Sequence, residues 1–138
     1  MRVHYHTDAG HRRQLVDKVG RYQAERYRTD PSYRLLYGMR RRIKNVLRGM
    51  SKSASTFALL GINSVEQYKA YLESQFEPGM TWGNAGTAWH IDHRIPLSLL
   101  DLSKPEDQRF GFNYKNTRPM WAKANISRSN NLQFEDLL

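Results

Sequence analysis

Four residues of types that can act together on a phosphodiester lie in the second half of the chain. Asp92 and His93 are adjacent, and Asn116 and Asn125 follow them. A carboxylate and amide oxygens are ligands that a hard cation such as Mg²⁺ accepts. An imidazole can take a proton from water near neutral pH. Each residue alone is an ordinary polar side chain, but together they predict a one-metal site for phosphodiester hydrolysis.

Two strands and a helix are predicted to position these residues. An extended stretch from about residue 88 to 97 carries Asp92 and His93, and Pro96 suits the end of an edge strand. The return strand is predicted over 116–120, and a helix from 121 to about 129. Between the strands, Ser103 and Glu106 resemble a capping box that opens a short helix ending near Phe110. The predicted order is strand, strand, helix.

The predicted strand sets one geometric condition. Side chains alternate along a regular strand, so Asp92 and His93 would point to opposite faces. Both can reach one phosphate only if the chain bends near Arg94. His90 shares a strand face with Asp92, and it could be a further ligand, a DNA contact or a packed histidine. We favour a supporting role over ligation.

The remainder of the chain is predicted to be largely helical. One helix spans residues 11–28, and a second runs from Pro31 to about Leu47 with Asp30 as its cap. The second helix has apolar residues at three- and four-residue steps and basic residues elsewhere, which predicts one packed side and one cationic side. Short helices at 57–60 and from Ser64 to Phe76 are expected to form the scaffold.

The net charge of +9 is concentrated at one end of the sequence. Residues 1–50 hold 13 Lys and Arg against 4 Asp and Glu, and the rest of the chain is balanced. Lys and Arg displace counterions from nucleic acid, so this segment predicts DNA contact. A solvated basic arm without a specific partner is the plain alternative, and an anionic membrane surface is a weaker one. The predicted phosphate contacts are Arg34, Arg40, Arg41, Arg42, Lys44 and Arg48 in the arm, and Arg94, Arg118, Lys123 and Arg128 near the site.

Composition bounds the class of protein. With 138 residues and 39% hydrophobic content, the chain fits one domain, about 51–138, plus a basic helical arm, 1–50. The absence of cysteine excludes disulfides and zinc sites built on Cys ligands. No run reaches the length of a membrane span, and the N-terminus does not have the pattern of a signal peptide. A soluble cytoplasmic protein is the expectation. His4, His6 and His11 are interpreted as surface residues.

The order of Asp-His, Asn and Asn resembles the HNH nucleases, a His-Me finger family with a ββα-metal fold. The similarity spans roughly residues 33–130, and the matching segments look like those of the compact HNH proteins common in bacteriophage genomes. It implies an α+β fold, mostly helical, with the ββα-metal core at about 87–130. The segments that carry it are Leu60-Gly-Ile-Asn-Ser64, Phe76-Glu-Pro-Gly-Met-Thr-Trp82, Trp89-His-Ile-Asp-His93 and Asn116-Thr-Arg-Pro-Met-Trp-Ala-Lys-Ala-Asn125.

The resemblance also implies roles for individual residues. His93 would be the general base, and Asp92 would hold Mg²⁺, with Mn²⁺ or another divalent metal as alternatives. Asn125 matches the last position of the motif, which is His in many members, and would be the second ligand. Asn116 would brace the loop between the strands and help to orient the base. Thr117-Arg118 departs from the family, where an apolar residue and Gln are frequent.

The implied activity is metal-dependent DNA cleavage, in the host cytoplasm if the protein is phage-encoded. Two other classes stay open. The chain could be a DNA-binding protein on an inactive nuclease fold, or a metal-binding module associated with phage packaging. Retention of all four motif residues favours the enzyme. The sequence does not indicate the target site or the oligomeric state.

Overall fold

Five α-helices and one two-stranded antiparallel sheet form residues 9–124, the part of the chain described by the computed structural model. This architecture confirms the prediction of a mostly helical α+β protein. The helices are α1 (Ala9–Thr29), α2 (Pro31–Val46), α3 (Thr56–Leu60), α4 (Val65–Glu73) and α5 (Pro105–Phe112), and the strands are β1 (Trp89–His93) and β2 (Thr117–Trp121).

Helix α2 lies at the centre of the packing. Its N-terminus is capped by Asp30, whose carboxylate accepts hydrogen bonds from the backbone N–H groups of Ser32 and Tyr33 at 3.1 and 3.2 Å. Buried side chains recur every fourth residue along one face. They are Leu35, Met39, Ile43 and Leu47.

The buried face of α2 packs into the same core as α3, α4 and α5. Leu59 and Leu60 come from α3, Tyr68 and Leu72 from α4, and Phe112 from α5. All five are essentially inaccessible to solvent. The core therefore includes α2, and the boundary predicted at residue 50 does not coincide with an edge of the packed unit.

Helix α1 has a different character. It contributes no buried residue within residues 9–124, and its main neighbour is α2. The helical spacing of Leu15, Val19 and Tyr22 places them in one stripe along α1, and each is about half exposed or more. The stripe is present in the sequence but does not become part of the core.

The two strands differ from their predicted bounds. Strand β1 ends at His93 and not near Leu97, because the chain bends at Arg94 and Ile95. Strand β2 begins at Thr117, one residue later than predicted, because Asn116 closes a 3₁₀ turn.

The predicted capping box before α5 is wrong. The helix begins after Lys104 with Pro105 in its first turn, and it has no side-chain cap. Ser103 Oγ instead donates to a carboxylate oxygen of Asp101 at 2.5 Å. Among residues 9–124, no helix has the length and apolar character needed to cross a membrane.

Candidate functional site

The bend that follows β1 is fixed by the buried side chain of Asn116. Its Oδ1 accepts from Ile95 N at 3.0 Å, and its Nδ2 donates to Ile95 O at 3.2 Å and to Gly111 O at 3.0 Å. Its backbone carbonyl accepts from Arg94 N at 2.7 Å. One amide thus holds both backbone groups of Ile95, two residues after His93. The contacts are of the bracing kind that the resemblance implies, and the sharp turn required beyond Asp92 and His93 is present.

Asp92 is a buried carboxylate, only 8% exposed. It lies opposite Arg118 in the register of the β1–β2 pair, and Arg118 Nε is 3.3 Å from Asp92 Oδ2. A cation at this distance offsets part of the cost of removing the carboxylate from water. The predicted metal ligand and a predicted phosphate contact are therefore partners in one ion pair.

His93 lies in a half-buried position that lowers its basicity. Burial, assisted by the charge of Arg42, lowers the pKa of His93 from the ordinary value of 6.5 to about 4. The imidazole is accordingly neutral near pH 7, which is the state that can accept a proton. An anion placed beside it would oppose the effect of the Arg42 charge and raise the pKa of His93.

Arg42 is held against β1 and does not project into solvent with the other cations of α2. Its Nη1 donates to the carbonyl of Ile91 at 3.1 Å, and burial lowers the pKa of the guanidinium. Arg34 is also half-buried, and its Nη2 donates to the carbonyl of Trp82. These two contacts revise the prediction for both residues: each guanidinium joins α2 to the segment around β1, where it is less available to a phosphate.

The remaining cations of this helix region stay in solvent. Arg40, Arg41, Lys44 and Arg48 are all exposed, and none forms an ion pair within residues 9–124. The sequence prediction of one packed side and one cationic side for α2 is confirmed in outline.

His90 lines a cleft of about 160 Å³ between α2 and the segment that leads into β1. The cleft also includes Arg34, Arg42, Trp82 and Trp89. In the strand register His90 pairs with Met120, two positions from the Asp92–Arg118 pair. Its position beside two arginines is compatible with a supporting role, which stays a prediction.

A hydrogen-bonded chain behind the site was not anticipated from the sequence. Tyr68 Oη and Thr117 Oγ1 are 2.7 Å apart, and Thr117 Oγ1 also bonds to Tyr114 O at 2.6 Å. Thr117 is the register partner of His93, and burial raises the pKa of the Tyr68 hydroxyl. The sequence predicts only a scaffold role for the helix that carries Tyr68. The available signal was its hydroxyl, since a buried tyrosine usually finds a partner for that group.

Arg94 and Lys123, two further predicted phosphate contacts, have different positions. Arg94 Nη2 donates to Gln75 Oε1 at 2.7 Å, which holds its side chain near α4. Lys123 is exposed in a helical turn at 122–124 that follows β2 directly. Asn125 and Arg128 lie outside the described residues, as does most of the helix predicted for 121–129.

The donor set can be tested against what a divalent ion requires. Within residues 9–124, no group of three or more His, Cys, Asp or Glu side chains is placed to hold a metal. The predicted set is of another kind, one carboxylate from Asp92 and one amide from Asn125, with water completing the coordination as Mg²⁺ commonly requires. The buried carboxylate at the end of β1 fits such a partial set.

Comparisons with known proteins give viral relatives. The chain is 33% identical over 122 residues to Uncharacterized protein L426 of Acanthamoeba polyphaga mimivirus, which covers 84% of this chain and 53% of the relative. It is 30% identical over 125 residues to Uncharacterized protein L246 of the same virus, covering 88% of this chain and 54% of the relative. The chain thus spans about half the length of these curated relatives. No family model and no solved structure matches it.

Proposed function

We propose that this chain is a metal-dependent DNA endonuclease of the HNH type. Its active site for phosphodiester hydrolysis would lie at the end of β1. The observation that carries the proposal is the locked turn after His93. Asn116 uses its acceptor and both donors of its amide on backbone groups of that region, which leaves the Asp92-His93 pair at a fixed strand end. Such fixed geometry is what positioning a reactant demands.

The roles of the protein groups follow from their surroundings. His93, neutral near pH 7, takes the proton from the attacking water. Asp92 would hold the divalent ion together with Asn125. The ion, when bound, neutralises charge that develops on the phosphate. Asn116 positions the turn and with it the imidazole.

A second candidate is supported by the ion pair at Asp92. The Arg118 guanidinium occupies one oxygen of the only carboxylate in the proposed ligand set. If that pair persists when the protein binds DNA, the chain would be a DNA-binding protein without catalysis. Both candidate functions require DNA binding. Either could use the exposed cations of the helix region, Arg40, Arg41, Lys44 and Arg48.

The two candidates are separated by cleavage of supercoiled plasmid with Mg²⁺, Mn²⁺, Zn²⁺ or EDTA, followed by sequencing of the ends. The nuclease converts the plasmid to nicked or linear forms with a divalent ion and not with EDTA. His93→Ala should reduce the rate by ~10²–10⁴-fold, the usual contribution of a general base, and leave DNA affinity nearly unchanged.

His90→Ala is the matched control, since it removes an imidazole from the same strand. A loss below about tenfold in His93→Ala, together with a larger loss in His90→Ala, would transfer the role of base to His90. Salt-sensitive DNA binding with no cleavage under any metal would favour the second candidate.

A further inference from the structure

Tyrosine side chains collect on the solvent side of the junction between α1 and α2. Tyr33 and Tyr37 stack with ring centroids 6.0 Å apart and planes inclined by 25°. Tyr27 meets Tyr37 edge to face at 5.6 Å, and the Arg26 guanidinium lies 4.7 Å from the centre of the Tyr33 ring. These contacts fix the orientation of the rings without burying them.

Tyr37 is the most exposed tyrosine of this cluster, and it faces the cationic side of α2. It is 48% exposed, whereas the apolar face of the same helix at Met39 and Ile43 is almost fully buried. A tyrosine that served only the core would be expected on that buried face. Tyr37 is instead a pre-oriented aromatic ring in contact with solvent.

An open groove of about 630 Å³ runs beside this ring. Its volume lies within the ~300–1,000 Å³ usual for sites that hold small molecules or parts of larger ones. Its lining includes Tyr33, Tyr37, Arg40, Arg41, Lys44 and Arg48. Asp and Glu are missing from the lining within the described part of the chain, so the groove has one sign of charge.

Cations beside an exposed aromatic ring are the combination that a single nucleic acid strand requires. Its phosphates need positive charge, and its unpaired bases offer flat faces that stack on aromatic side chains. In a duplex the base faces are already covered by neighbouring pairs, so a ring on a helix gains little from it. Phosphate binding alone would use the cations and would not require the exposed part of the Tyr37 ring, whose other contacts are with Tyr27 and Tyr33.

We propose that the groove between α1 and α2 binds single-stranded nucleic acid, with Tyr37 as the stacking platform for one base and Arg40, Arg41, Lys44 and Arg48 as contacts to the adjacent phosphates. The inference deepens the proposed function, because it rests on DNA as the substrate and names an unpaired strand as the form held by the arm. The groove is built from residues other than those at the end of β1.

The first test compares three labelled oligonucleotides by fluorescence anisotropy, with EDTA present so that no strand is cut. They are a single strand, a duplex of the same length, and the single strand with several abasic sites, which keeps the phosphates and removes base faces. Wild-type protein should bind the intact strand more tightly than the abasic strand. Equal affinity for those two would overturn the proposal and leave the cleavage assay unaffected.

The second test changes the ring. Tyr37→Leu should weaken binding of the intact strand by about 5- to 150-fold, the equivalent of the ~1–3 kcal/mol of one base–aromatic stack, and should remove most of the difference from the abasic strand. Tyr37→Phe retains the ring and should stay close to wild type. Thermal unfolding of both variants reports whether the fold is intact.

Tyr22→Leu is the matched control. Tyr22 is 63% exposed on α1 and is not among the residues that line the groove. It should leave the affinity for the intact strand unchanged. If Tyr37→Leu weakened duplex and single strand by the same factor, the surface would be a duplex contact and the proposal would be wrong.

Discussion

Arg118 lies directly opposite Asp92 across the β1–β2 pair, with its Nε 3.3 Å from Asp92 Oδ2. The side chains are 16% and 9% exposed, so the pair is largely removed from water. A divalent ion at Asp92 would bring a second positive charge to the same carboxylate. Stability without metal and affinity for metal are therefore expected to respond in opposite directions when Arg118 is changed.

Replacing Arg118 by Gln removes that cation and retains a polar side chain. Without metal, the free energy of unfolding should fall by about 1–3 kcal/mol, because a buried charged group loses a partner. Divalent ions should restore part of the loss and should bind more tightly than to wild type, since repulsion from the guanidinium is gone. Urea unfolding in EDTA and in a Mg²⁺ series measures both effects.

Arg41→Gln is the control for Arg118→Gln, because Arg41 is exposed on the cationic side of α2. It should change neither stability nor metal affinity. A stability of wild type and of Arg118→Gln that does not change with Mg²⁺ concentration would show that no metal binds at Asp92.

His93 makes stability depend on pH. In the folded protein the pKa of His93 is lowered to about 4 from the ordinary value of 6.5. Between these two pH values, the imidazole of the unfolded chain binds a proton that the folded chain does not bind. Stability is fully present above about pH 6.5 and is lost as the pH falls toward about 4. The slope should reach at most ~1.4 kcal/mol per pH unit.

His93→Gln removes the titrating group and should flatten this part of the stability profile. Urea unfolding at a series of pH values between 4 and 7 is the measurement. A slope that survives in His93→Gln would place the responsible proton on another group.

Asn116 should affect stability through the turn that it braces. Asn116→Ala removes three side-chain hydrogen bonds and leaves both backbone groups of Ile95 without their partner. At ~0.5–1.5 kcal/mol for each bond, the free energy of unfolding should fall by about 2–4 kcal/mol. Asn116→Asp keeps an acceptor for Ile95 N but cannot donate to Ile95 O or Gly111 O, so it should not rescue the protein. Cleavage activity measured on the folded fraction should also fall if the turn positions His93.

The sequence predicted the main helices and the two strands because their signals are local. Asp30-Pro31 caps and starts α2, and four-residue spacing of apolar side chains marks its buried face. The bend near Arg94 followed from strand alternation together with the condition that Asp92 and His93 reach one phosphate. The cap and the helical spacing require only the neighbours of a residue in the chain.

Features that depend on long-range neighbours were not predictable in this way. Arg42 and Arg34 look like Arg40 and Arg41 in the sequence, yet they bind the carbonyls of Ile91 and Trp82, almost fifty residues away. The pairing of Arg118 with Asp92 depends on the register of two strands separated by an insertion with its own helix. The charge of each side chain was readable from the sequence, but the partners of Arg34, Arg42 and Arg118 depend on which distant segments lie beside them.

Arg40 and Arg41 are exposed on α2, whereas the guanidinium groups of Arg34 and Arg42 are bound to backbone carbonyls. This difference leads to the last prediction. Changing Arg40, Arg41 and Lys44 together to Gln should weaken DNA binding at every sequence, because all three are exposed and line the groove beside α1. The slope of log affinity against log salt should become shallower by up to ~0.9 for each phosphate that the variant no longer neutralises. Metal affinity should be unchanged, since Asp92 lies on a different element.

Arg42→Gln is the matched control, with the same substitution on the same helix. Its guanidinium is bound to Ile91 O, so the variant should lose stability and leave the salt slope close to wild type. Anisotropy titrations across a series of salt concentrations, with urea unfolding of each variant, measure both quantities. A salt slope that is unchanged in the triple variant would show that this surface does not touch the phosphate backbone, and the phosphate-binding cations would then be sought at Lys123 and Arg128 after β2.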